Sequence, residues 1–129
     1  MAKRKPAAAP PAPPAASARA TSRLSADQVT ELADMFQLMS DPSRLRIILE
    51  CLHTPTSVGD MASALGLSTS LVSHHLRLLR AGRLIQAERK GTRVFYLITD
   101  DHIRRVLSNM ASHVVEDMDE VDVLYQPLK

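Results

Sequence analysis

Apolar residues in "SADQVTELADMFQLMS" recur every three or four positions, at Val29, Leu32, Met35 or Phe36, and Met39, which is the spacing of one helix face. Ser25 stands before Asp27 and Gln28 as an N-cap. "DPSRLRIILECLH" predicts a second helix, with Asp41 at the cap and Pro42 in the first turn, where its missing N–H costs nothing. "SVGDMASAL" opens on Ser57 and Asp60, three apart, and gives a short third helix ending at Gly66. "STSLVSHHLRLLRAG" predicts a fourth, from a cap at Ser68 to a terminator at Gly82. The period then changes to two in "RLIQAERKGTRVFYLI", a β-hairpin with a cationic tip at "RKGTR". Helical spacing returns in "TDDHIRRVLSNMASHVVED", residues 99–117. The fold class is mainly α with a small β-hairpin.

Two helices joined by so short a Gly-containing link form a helix-turn-helix, and the hairpin that follows makes it a winged one. On the wheel of the fourth helix, Thr69, Ser70, Ser73, Arg77 and Arg80 share one side, and Leu71, Val72, Leu76, Leu78 and Leu79 fill the other. Hydroxyls can bond base edges or phosphates in a major groove, and Arg can pair with guanine. Ser68, Thr69, Ser70, Ser73, His74 and Arg77 are therefore the candidate DNA readers, with Arg89, Lys90 and Arg93 of the hairpin poised for phosphates or the minor groove. His75 falls on the apolar side, where a hydrogen-bonded core histidine is expected. A solvated cationic face is the bland alternative for the arginines. The coincidence of short turn, hydroxyl-rich helix start and basic tip favours DNA.

Composition narrows the class further. The 129 residues, 45% hydrophobic, are one domain's worth of globular chain, and no apolar run approaches the ~20 residues of a spanning helix. The start "MAKRKPAAAPPAPPAAS" lacks the Leu-rich core of a signal peptide, so a cytoplasmic protein without membrane partners is expected. Residues 1–23 read as a disordered Ala/Pro-rich basic tail, 24–120 as the functional domain, and 121–129 as a C-terminal tail. The single cysteine, Cys51, lies among Ile47, Ile48 and Leu52 and reads as a small core residue. A net charge of +2 conceals an asymmetry: residues 68–93 carry six basic groups against Glu88, and residues 100–129 carry seven acids against three basic groups. The cationic segment is the one suited to a polyanion.

From about Leu32 to Glu116 the chain resembles the ArsR/SmtB family of metal-sensing repressors. The matching stretches are "LMSDPSRLRIIL", "SVGDMASALGLSTSLVSHHLRLLRAGRL" and "ERKGTRVFYLITDDH". The resemblance implies a homodimeric winged helix with a helical dimer interface, which occupies operator DNA and leaves it when an inducer binds. Family members place inducer sites on different helices. Where thiolate-dependent members carry a cysteine, in a stretch similar to "ELCVGD", this chain has "PTSVGD" with Ser57, which argues against a soft-metal site.

The last helix resembles the family's other site at all four positions: Asp100 and His102 at its start, His113 and Glu116 near its end. Eleven helical residues separate the two histidines, ~16 Å, whereas ligands of one zinc ion lie ~2 Å from it. Two copies of this helix crossing antiparallel solve the problem, because the start of one then meets the end of the other. The stripe Ile103, Leu107, Met110 and Val114 beside the ligands suits that contact. Two imidazoles and two carboxylates suit four-coordinate Zn(II) as inducer, with Co(II) as a possible substitute.

The expected function is thus a metal-responsive repressor that derepresses metal efflux or storage genes. The alternatives are a Ni or Co sensor, or a winged-helix regulator with a non-metal inducer, in which Asp100 merely caps the helix and the histidines are interface polar groups. A zinc hydrolase fits poorly, since no His-Glu-x-x-His motif or nucleophile loop occurs.

Overall fold

The structure, a computed structural model, describes residues 23–124, with side chains through Glu116. The expected tail before residue 23 lies outside the described residues. Five helices and three strands follow in the order α1 (Ala26–Met39), α2 (Pro42–Glu50), β1 (Thr56–Ser57), α3 (Val58–Leu65), α4 (Thr69–Ala81), β2 (Ile85–Lys90), β3 (Arg93–Ile98) and α5 (Asp101–Leu124). Residues up to Ala33 and those from Asp34 onward form two separate units.

The helix starts are built from the caps the sequence supplies. In the first unit, Ser25 Oγ accepts the Gln28 N–H at 3.1 Å while Gln28 Oε1 accepts the Ser25 N–H at 2.9 Å, a reciprocal capping box. Asp41 accepts the Arg44 N–H at 2.9 Å, Ser57 the Asp60 N–H at 3.3 Å and Ser68 the Leu71 N–H at 3.1 Å. Each satisfies one donor that the first helical turn leaves open. Gly66 closes α3 at φ +66°, in the left-handed region that a glycine enters freely.

In the second unit the core collects Ile47 and Ile48 of α2, Met61 of α3, Val72, Leu76 and Leu79 of α4, and Leu84, Ile85 and Ile98 around the hairpin. Met35, Leu38 and Met39 of α1 pack against it. Val29, Leu32 and Phe36 of α1 are exposed. Cys51 is buried and its thiol is pushed up to about 11 by that burial, so it is an inert core group, as its neighbours in the sequence suggest.

Three features depart from the sequence reading. The hairpin is part of a three-stranded antiparallel sheet of order β1-β3-β2, with Thr56 opposite Tyr96 and Ser57 opposite Phe95. Two residues of strand are too few to show a period. Second, α5 continues through Leu124, past the helical stretch 99–117 marked in the sequence, because neither glycine nor proline interrupts the chain between Asp101 and Gln126. The remainder of the expected C-terminal tail, from residue 125, lies outside the described residues.

Third, Gly82 does not supply the left-handed turn that ends α4. Its φ is −81°, and the left-handed residue is Arg83 at φ +61°. The Leu84 N–H reaches Leu79 O and the Arg83 N–H reaches Arg80 O, both at 3.0 Å, so a Schellman closure is complete with arginine in the position that favours glycine. Gly82 answers to packing instead: a Cβ there would stand 2.3 Å from Leu38 Cδ1. Arg83→Gly is accordingly expected to stabilise the domain by about 0.5–1 kcal/mol, measured as a raised urea midpoint at unchanged slope. No gain would mean that Arg83 side-chain contacts offset the backbone relief.

Candidate functional site

The α3–turn–α4 unit and the β2–β3 hairpin carry the candidate DNA readers. Thr69, Ser70, His74 and Arg77 are exposed on α4 and Ser73 is half-buried, while Val72, Leu76 and Leu79 on the opposite face are buried. The expected apolar side is held by the core only at Val72, Leu76 and Leu79, because Leu71 and Leu78 at its edges are 39% and 36% exposed, while the hydroxyl and cationic side faces outward. Ser68 Oγ is already engaged by the Leu71 N–H, so its first role is structural.

On the hairpin, Gly91 takes φ +65° at the first position of a two-residue loop between the paired Lys90 and Arg93. Arg89, Lys90 and Arg93 are all exposed. The Phe95 ring organises two of them, with Lys90 Nζ 5.9 Å and Arg93 Cζ 5.3 Å from its centroid. Arg93 also leans toward α3, placing Nη2 3.5 Å from Ser57 Oγ and 3.9 Å from Asp60 Oδ2. Ser57 and Asp60 thus face a guanidinium, which puts a cation beside the start of α3. Spacing alone gave no sign of this tie, since 36 residues separate Arg93 from Ser57.

His75 is buried at 8% exposure, as its place on the apolar side predicts, but one of its two ring nitrogens lacks a hydrogen bond. Its Nδ1 has no partner among the described residues. The His74 ring lies beside it, centroids 5.9 Å apart, and Asp41 and Arg44 are near enough to act on its charge. Burial lowers its pKa below the ordinary 6.5; Asp41 opposes the shift, and Arg44 and His74 add to it. The fold holds the ring neutral, whereas the unfolded chain takes up a proton near pH 6.5, so this contribution to stability is present above that pH and is lost as pH falls toward the depressed value. Denaturant midpoints should therefore drop on acidification below about 6.5, and His75→Leu should flatten the drop. An equally steep acid limb in that variant would assign the loss to other groups.

The four candidate metal ligands lie on α5 and its cap. Asp100 is the N-cap, its Oδ1 accepting the Ile103 N–H at 3.0 Å, which leaves the second carboxylate oxygen available. His102, His113 and Glu116 are exposed. Among the described residues of one chain, no three His, Cys, Asp or Glu side chains come together around a common point. The helical rise accounts for it, because Asp100 and His102 stand at the opposite end of the helix from His113 and Glu116. The donor set of imidazole and carboxylate fits a borderline cation such as zinc in chemistry. On the same helix Ile103 and Leu107 pack inward, whereas Val106, Met110, Val114 and Val115 are 43–60% exposed, an uncovered apolar surface running between the two ligand pairs.

A helix-turn-helix with a basic hairpin beside it and a hydroxyl-bearing outer face on the second helix defines a winged-helix DNA-binding regulator. Residues 41–87 match the family described as bacterial regulatory protein, arsR family. The chain is 38% identical over 93 residues to a transcriptional repressor SmtB homolog of Synechocystis, covering 72% of this chain and 70% of that one. It is 33% identical to the regulator NmtR of Mycobacterium tuberculosis, covering 74% and 79%. In structure it is similar to M. tuberculosis Rv0081, with TM-score 0.64 and 26% identity over 74% of this chain and 97% of that one. The homodimeric winged helix-turn-helix domain Mb0332 of Mycobacterium bovis shares the fold at TM-score 0.66 and 24% identity, over 79% and 93%. The chain belongs to the ArsR family of bacterial regulatory proteins. Among the described residues no helix is long and apolar enough to cross a membrane.

Proposed function

We propose that the protein is a zinc-responsive transcriptional repressor, homodimeric through α5, whose metal-free form binds operator DNA and whose zinc-loaded form releases it. The observation that carries this reading is the layout of α5: two donor pairs at opposite ends of one helix, with an exposed apolar strip between them. An antiparallel partner would bury the strip and bring Asp100 and His102 up to His113 and Glu116 of the partner subunit, twice by symmetry. Similarity to the SmtB homolog, named as a transcriptional repressor, supports the repressor part.

The DNA-facing residues in this reading are Thr69, Ser70, Ser73, His74 and Arg77 on α4, with Ser68 capping the helix and Arg89, Lys90 and Arg93 on the hairpin meeting the phosphate backbone. Zinc at the dimer contact would favour a spacing of the two α4 helices that no longer matches successive major grooves. By linkage, DNA would weaken zinc binding by the same factor. The proposed domain is residues 24–120, with the preceding basic segment adding nonspecific attraction to DNA.

The test is a salt-controlled affinity measurement on an operator fragment, selected from a random duplex library by the metal-free protein, with and without Zn(II), Co(II) and Ni(II). Release by zinc and cobalt supports the reading. Equal affinity in every case would leave a regulator with a non-metal inducer, and release by nickel alone would replace the metal.

A further inference from the structure

Resting on that reading, we infer that Arg104 is the positioning residue through which the metal-binding start of α5 acts on the DNA-reading half of the domain. Arg104 lies one turn past Asp100, and three bonds converge on it. Its Nε donates to Leu52 O at 2.9 Å, across 52 residues of sequence. Its Nη1 pairs with Asp101 Oδ1, and its own N–H donates to Asp100 O at 3.3 Å. The same turn therefore contains two of the proposed ligands, Asp100 and His102, and a guanidinium clamped to another element.

The location is unfavourable for a cation on general grounds. The start of a helix carries the positive end of its dipole, and Arg104 is only about one-third exposed. Asp101 and the Leu52 carbonyl offset both costs, and they fix the planar guanidinium in direction as well as place. Leu52 O stands just past the end of α2, beyond the last turn of that helix, and Leu52 itself is buried. The apolar contacts of Ile103 and Leu107 with the core are non-directional, so they permit a helix to slide or turn. A planar donor held between two acceptors does not.

From Leu52 the connection is rigid. Ile47 and Ile48 of α2 share a close-packed core with Val72, Leu76 and Leu79 of α4. At the other end, Asp100 Oδ1 holds the first turn of α5 by accepting the Ile103 N–H. A cation held by the second oxygen of Asp100 pulls on the same carboxylate that caps the helix and so shifts the turn in which Arg104 sits. The displacement reaches α2 through the Arg104–Leu52 bond and α4 through the shared core.

The experiment compares wild-type full-length protein with Arg104→Met and Arg104→Lys, measuring zinc affinity by titration with Zn(II) alone and operator affinity with and without saturating zinc. In Arg104→Met, zinc affinity and metal-free DNA affinity should each stay near wild type, while the ratio of DNA affinities without and with zinc falls about tenfold. Arg104→Lys keeps the charge but not the fork, and should fall between the two. A ratio in folded Arg104→Met within about twofold of wild type overturns the proposal. So does failure of both variants to fold, which would make Arg104 a structural staple. Absence of any zinc effect in the wild-type protein would instead remove the repressor reading on which this one rests.

Discussion

Replacing His113 with alanine is expected to leave DNA binding by metal-free protein unchanged and to abolish its release at zinc concentrations that empty the operator in wild type. A switch from about 1:99 to 99:1 requires zinc to favour the released form by ~5.5 kcal/mol, a factor of ~10⁴. In the proposed site that differential would come from ligands that meet only when two copies of α5 adopt one relative position. Removing one of two imidazoles from a four-donor set leaves a site that neither binds zinc well nor holds the helices in register. His113 is exposed on α5, outside the α4 and hairpin surfaces, so the same substitution should not touch DNA affinity itself. Zinc titrations of operator complexes check both halves. Release at wild-type zinc concentrations would sink the intersubunit site, and loss of metal-free DNA binding would show that His113 serves the fold instead.

The second large effect is on stability. Leu79 is fully buried on α4, and its carbonyl receives the Leu84 N–H that closes the helix. Leu79→Ala removes the side chain from a close-packed site beside Leu76 and Ile48 and leaves a cavity, at a cost of about 2.7–5 kcal/mol. For a domain of this size that lowers the melting temperature by on the order of 10–30 °C. Because total stability is typically about 5–15 kcal/mol, the substitution should also populate unfolded chain near physiological temperature. Thermal melts of metal-free protein test it. A shift of only a few degrees would mean that the core around α4 collapses to fill the space.

Much of the fold is legible in the sequence itself. The starts of α1 to α4 are each marked by a residue three positions from the N–H it caps, so Ser25, Asp41, Ser57 and Ser68 announce themselves within a four-residue window. Hydrophobic period does the same for the buried face of α4 and for the β2–β3 hairpin. The donors proposed on α5 also stand out as a helix pattern, Asp100 and His102 at one end and His113 and Glu116 at the other. Geometry on that single helix already implied that one chain could not close the site, and among the described residues no three donors converge.

What the sequence by itself determined, then, is everything governed by neighbours along the chain: four caps, the left-handed glycine at Gly66, the hairpin turn at Gly91, and which side of α4 faces water. Tertiary structure decided the rest. It pairs Thr56 and Ser57 with β3, turns Arg93 toward Asp60, joins Arg104 to Leu52 O, and leaves His75 Nδ1 buried without a partner among the described residues. It also separates the roles of Gly82 and Arg83, giving the glycine to the approach of Leu38 and the left-handed turn to the arginine. The physical reason is range. Caps and periods depend on torsions within one or two turns, whereas these contacts depend on where packing places residues far apart in sequence.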